Sequence, residues 1–221
     1  RPSRAADQSF WGIGLTSLGV YSMLPPDHPD RRKEVGGSGG AWWWHSIDDT
    51  ADKTDVAVLQ QDTRLYVSLI LRLATADVLP FNFAVVAQDY IGALEEYQDE
   101  AGDFLPIATL LDRATELKNK AVLLREKTAG LTGESAIKAN RFYLALARAL
   151  NPILYTSVSA FYQQPALGTR FIPSLTPVLQ MKSMDAGSND FKFLQAGMLR
   201  EINKVNFHLL EAIRMIDRFE G

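Results

Sequence analysis

The spacing of apolar positions changes character near residue 54. Before that point Gly, Pro, Trp and Asp are frequent and no period is sustained. Beyond it, apolar residues recur at three- and four-residue steps almost to the end, the period of helices that bury one face. Five helices are predicted. The first spans Thr54 to Ala76: Thr54 offers an N-cap hydroxyl, Asp55 suits the positive end of the helix dipole, and Pro80 ends the pattern. Asn82 to Ala101 is the second, stopped by Gly102. Pro106 to Ala129 is the third, with proline in its first turn and Gly130 just past its end. Its positions Ile107, Leu110, Leu111, Ala114, Leu117, Ala121 and Leu124 trace one face. Gly133 to Leu150 is the fourth, ended by Asn151-Pro152. The last runs from Asn189 to Phe219. Its positions Phe191, Leu194, Met198, Ile202, Val205, Leu209, Ala212, Ile216 and Phe219 form the narrow apolar seam of a bundle helix. Residues 151 to 188 read as an irregular connection with four prolines, long for a bundle and for that reason a functional candidate.

The first region reads differently. Ala6 to Gly12 suits a short helix. Ile13 to Leu24 is apolar and partly β-branched, which predicts a buried strand stopped by Pro25-Pro26. Asp27 to Gly40 is a polar loop ending in the run Gly36-Gly37-Ser38-Gly39-Gly40. The expected fold class is therefore mainly α, a helical bundle preceded by a small α/β remnant, with residues 1–54 and 55–221 as the two domains.

Composition narrows the partners. Of 221 residues, 47% are hydrophobic and 22% charged, enough apolar material for a globular core. A net charge of −3 lacks the basic footprint that neutralises phosphates, so no nucleic-acid partner is expected. Without cysteine the chain has no disulfide, thiolate zinc site or cysteine nucleophile. The most apolar stretch, Leu65 to Leu79, is interrupted by Arg72 and Asp77, so no membrane span is expected. The chain opens at Arg1 without an initiator Met and is read as a piece of a longer polypeptide.

Candidate chemistry centres on His45. A neutral imidazole is a good zinc ligand and usually needs an acceptor to orient its second nitrogen. Asp48 and Asp49 stand close in sequence, and Trp42, Trp43 and Trp44 precede it. By spacing alone, a lone histidine beside aromatics is more often structural than ligating. His28 lies in a Pro/Asp loop, and His208 falls one position from the seam of the last helix. Gly12, Gly14 and Gly19 miss dinucleotide spacing, and Gly36 to Gly40 lacks the Lys-Ser/Thr of a phosphate loop. Glu95-Glu96 and the basic group Lys118, Lys120, Arg125 and Lys127 read as solvated helix faces. Tyr143, Tyr155, Phe161 and Tyr162 read as core packing or an interface.

Order along the chain adds what spacing lacks. Trp44-His45-Ser46-Ile47-Asp48-Asp49-Thr50 resembles the closing aromatic-His-(Ser/Thr)-x-x-Asp-Thr motif of the co-catalytic zinc exopeptidases, the group of glutamate carboxypeptidase, bacterial aminopeptidases and the inactive transferrin receptor. Upstream, Asp7-Gln8-Ser9-Phe10-Trp11-Gly12-Ile13-Gly14-Leu15-Thr16-Ser17 resembles that family's Asp-x-x-Phe-x-x-x-Gly-(Ile/Val)-Pro-(Ser/Ala) segment, with Thr16 where proline is common. Downstream, Leu79-Pro80-Phe81 and Asp89-Tyr90 resemble the start of the transferrin-receptor-like dimerisation domain. The resemblance implies that residues 1–54 close a zinc-peptidase domain and that the helices form a dimerisation domain. It assigns His45 as one metal ligand, with Trp44, Asp48 and Asp49 at the pocket or behind the ligand. It implies two zinc ions and a peptide substrate in the intact parent, a homodimer through the helices, and an extracytoplasmic or secreted location. The family's His-x-Asp and Glu-Glu motifs are missing here, so this chain alone is expected to be inactive and not to hold the zinc pair. The alternative is a non-catalytic, transferrin-receptor-like binding and dimerisation module.

Overall fold

A computed structural model describes residues 13–14, 23–31, 40–162 and 170–220. The short helix read at 6–12, residues 15–22 of the expected strand and most of the glycine run lie outside the described residues. The chain forms two compact units, Leu18–Ala76 and Arg1–Ser17 with Asp77–Gly221. The first helix thus groups with the glycine- and tryptophan-rich region rather than with the other helices. Among the described residues the protein is mainly helical and forms no strand, only an isolated antiparallel bridge between Arg31 and Ala41. At the ends of the expected strand, Ile13 and Gly14 sit in a turn, and Ile13 and Met23 are exposed.

In the unit Leu18–Ala76, α1 spans Val56–Ala74. Its N-cap is Asp55, not Thr54: the Asp55 carboxylate accepts from the amides of Ala57 and Val58 at 2.7 and 3.1 Å. Both residues are of capping type. An ionised acceptor at the positive helix end makes the stronger bond. Asp55→Ala is expected to cost about 1 kcal/mol of local helix stability, and Thr54→Ala much less. Hydrogen exchange of the Ala57 and Val58 amides checks this. No side chain of α1 is buried.

The larger unit holds α2 (Phe83–Ala101), α3 (Ala108–Thr128), α4 (Gly133–Tyr155) and α5 (Asn189–Asp217). The faces read from the sequence point inward. On α3, Leu110, Ala114, Leu117, Ala121 and Leu124 are buried. On α5, Phe191, Met198, Ile202, Val205, Leu209 and Ala212 are buried, joined by Ile213. Helix α3 packs on α2 and α5, and α4 packs on α5.

Three boundaries differ from the expectation, each for a physical reason. Pro106 is not in α3. Leu105 precedes it in an extended conformation, as a residue before proline prefers, with its side chain buried, and the helix begins only at Ala108. Helix α4 runs through Pro152 to Tyr155. An interior proline costs about 3 kcal/mol, but continuing the helix buries Ile153 and Leu154, each worth about 1.5–3 kcal/mol. The Thr156 amide and hydroxyl then cap the Pro152 carbonyl at 3.0 and 2.6 Å. The connection read as irregular contains an ordered 3₁₀ segment, Pro173–Ser183, that buries Leu175, Val178 and Met181. It is entered through Ile172, a fully buried β-branched residue at φ 50°. The Tyr97 hydroxyl donates to the Phe171 carbonyl at 3.0 Å beside it, which helps hold that strained backbone.

The basic group of α3 lies at the surface as expected, and three of its members find partners there. Lys118 donates to Gln88 at 2.7 Å, Lys120 pairs with Asp217, and Lys127 donates to the Phe219 carbonyl. The aromatic group divides: Tyr143 is buried and its hydroxyl bonds Thr128 at 2.6 Å, while Phe161 and Tyr162 are exposed. Glu96 is paired with Arg170. The Leu79-Pro80-Phe81 stretch is held at the entry of α2 by Asn140, which accepts from the Leu79 amide at 2.7 Å and donates to the Asp77 carbonyl at 2.8 Å.

Gly14 shows why one glycine of the upstream motif is needed. Its φ is 78°, and a Cβ there would run into the Arg148 backbone of α4. Gly14→Ala is expected to release this segment from α4, seen as faster proteolysis around residue 14 with the helical core unchanged.

Candidate functional site

The stretch Ala41–Thr50 is a chain of overlapping turns. The Trp44 amide donates to the Ala41 carbonyl at 3.1 Å, Ser46 to Trp43 at 2.9 Å, and Asp49 to Ser46 at 3.2 Å. Side chains of the motif brace it. The Ser46 hydroxyl donates to the Trp43 carbonyl at 2.6 Å and accepts from the Asp48 amide at 3.2 Å. The Thr50 hydroxyl bonds Asp52, and Lys53 donates to the same carboxylate at 2.6 Å. The Lys53 and Thr50 bonds hold the Asp52 carboxyl down to about 2. Serine and threonine do here what they do in many loops, replacing backbone partners with side-chain ones.

His45 lies within the turn that Ser46 closes on Trp43, at φ 63°. For a residue with a Cβ this left-handed backbone is uncommon and costs about 1–3 kcal/mol. Its imidazole is exposed and lies against the Trp44 indole, ring centroids 3.7 Å apart and tilted by 38°. Trp42 and Trp43 meet edge to face at 5.5 Å. Asp48 and Asp49 are exposed, and no hydrogen bond or ion pair to His45 is formed within the described residues. Sequence reasoning placed His45 and Trp44 together. It did not foresee Asp52 and Lys53 as part of the brace, although Thr50-x-Asp52 is the kind of short polar spacing that signals a side-chain turn.

The other two histidines are engaged elsewhere. His28 accepts the Asp30 amide on Nδ1 at 3.1 Å. His208 is half-buried on α5, and burial together with Lys204 pushes its imidazole below the usual range. Among the described residues no three His, Asp or Glu side chains gather as a metal site. A single imidazole fills one of about four positions around zinc. No helix among the described residues is long and apolar enough to cross a membrane.

Comparison with known protein families, with curated proteins and with solved structures finds no match to this chain.

Proposed function

We propose that this chain is the C-terminal part of a zinc exopeptidase-type protein, supplying His45 as one metal ligand together with a helical dimerisation-type domain. One observation carries the reading: His45 stands at φ 63° in a turn closed across it by the Ser46 hydroxyl on the Trp43 carbonyl, with its imidazole exposed. Backbone strain concentrates where a side chain must be presented in one orientation. The order of the three motifs supports the same reading, and so does the engagement of Leu79-Pro80-Phe81 at the entry to α2.

On this reading the remaining ligands come from outside these 221 residues. Zinc titration of the chain by calorimetry, with bound metal counted after desalting, is expected to show no tight stoichiometric site. Retention of two zinc ions by this chain alone would overturn the proposal. The helical domain is proposed to pair with a second copy, for which the exposed Phe193 and Phe207 of α5 supply apolar surface. A monomer in sedimentation at about 100 μM would count against pairing, since stable interfaces hold at that concentration.

A further inference from the structure

Between the start of α4 and the end of α5 lies an open depression of about 650 Å³, lined by Lys138, Arg141, Phe142, Met215, Arg218 and Phe219. Its floor is apolar and built in advance. The rings of Phe142 and Phe219 stack at 4.5 Å, 26° apart. Lys127 donates to the Phe219 carbonyl and lies 5.3 Å from its ring centroid, and Lys120 pairs with Asp217 two residues earlier. These contacts and the ring stacking favour the aromatic floor as seen, which lowers the cost of ordering it for a ligand. Met215 adds a soft, adaptable surface of the kind found where peptides are bound.

The rim is cationic in a chain whose net charge is −3. Lys138, Arg141 and Arg218 face a single lining carboxylate, Glu220. Among the described residues neither Arg141 nor Arg218 has an acidic partner, a state they share with Arg64, Arg72, Arg125, Arg148 and Arg200. Lys138 reaches Glu134 only at 4.0 Å. The helix dipole accounts for a cation at the end of α5, but it acts only within the first and last turns and so has no bearing on Lys138 and Arg141, which lie beyond the first turn of α4.

We propose that this depression docks an acidic peptide segment of another polypeptide, one that sets a large apolar side chain on the Phe142–Phe219 floor and presents carboxylates to Arg141 and Arg218. Planar guanidinium groups bind carboxylates in a two-point geometry that lysine cannot offer. The apolar residues are half-buried and recessed, which suits an inserted side chain. A lipid surface instead calls for protruding apolar groups and clusters of about 4–8 basic residues.

The test uses the whole chain and a fluorescein-labelled nonapeptide with a central Leu-Phe pair flanked by aspartates. Fluorescence anisotropy is expected to give saturable binding. The same peptide with lysines for aspartates is expected not to bind. The double substitution Arg141→Gln with Arg218→Gln weakens binding of the acidic peptide at least tenfold with a melting temperature changed by no more than about 3 °C, both side chains being exposed. Lys182→Glu, on the Pro173–Ser183 segment, leaves binding intact. No binding of the acidic peptide, equal binding of both peptides, or indifference to the double substitution each overturns the proposal. So does binding to phosphatidylserine vesicles without binding to the peptide, which would make this face a lipid contact.

Discussion

Tyr90→Ala is expected to lower the unfolding free energy of the helical unit by about 3–5 kcal/mol, and Tyr90→Phe by only about 1 kcal/mol. Tyr90 is fully buried on α2, and its hydroxyl donates to the Leu150 carbonyl at 2.7 Å, two residues before Pro152. The alanine variant opens a cavity in the layer between α2 and α4, while the phenylalanine variant keeps the ring and loses one bond. The pair of variants also sets an alkaline signature. Burial pushes the Tyr90 hydroxyl well above its ordinary value of 10.0, and burial raises Tyr97 and Tyr155 as well. A group whose folded value is raised stabilises the fold fully below its unfolded value. That stability is lost as pH climbs from about 10 toward the folded value. The loss is at most about 1.4 kcal/mol per pH unit for each such tyrosine. Denaturant unfolding between pH 9 and 11.5 is expected to show Tyr90→Phe less stable at pH 9 but falling less steeply above pH 10. Equal slopes for the two proteins would show that Tyr90 is not the group that resists ionisation.

The helices were legible because their information is periodic and local. A stripe such as Leu110, Ala114, Leu117, Ala121 and Leu124 has one solution that removes it from water, and the structure adopts it. The boundaries were less legible because they depend on partners far away in sequence. Pro152 is a helix stop on local grounds. It is overridden by the burial of Ile153 and Leu154, which the sequence before it does not disclose. Lys118, Lys120 and Lys127 do lie on a solvated face, but their partners there, Gln88, Asp217 and the Phe219 carbonyl, are distant in sequence. Ile172 is the strongest case. Nothing in a β-branched residue announces a left-handed backbone; the bonds of its amide to the Leu154 carbonyl and of the Tyr97 hydroxyl to its own carbonyl help to hold it.

The site was legible in a different sense. Residue types around His45 said little, since one imidazole near three indoles has many uses. Motif order named the residue, and the fold adds a constraint that neither could supply: a left-handed backbone held by hydroxyl bonds. The bracing bonds lie within three residues of each other in sequence, so the loop can form from its own neighbours. On the proposed reading His45 would then be oriented before any metal arrives.

If the proposed function holds, His45→Ala in a polypeptide that also supplies the remaining ligands is the substitution with the largest expected effect on function. Loss of one first-sphere ligand should lower the bound zinc from two ions to about one and reduce peptidase activity by at least about 100-fold, more than the roughly 10–100-fold typical of groups that only orient a ligand. Asp49→Ala supplies that comparison, since Asp49 lies outside the bracing bonds and would act, if at all, behind the ligand. His45→Gly separates chemistry from strain. It removes the imidazole but relieves the left-handed backbone, so it should be as inactive as His45→Ala and more stable by about 1 kcal/mol. Unchanged metal content and activity in both His45 variants would remove the residue from the metal site. The helical unit would then stand as a binding and dimerisation module whose loop 41–50 has some other use.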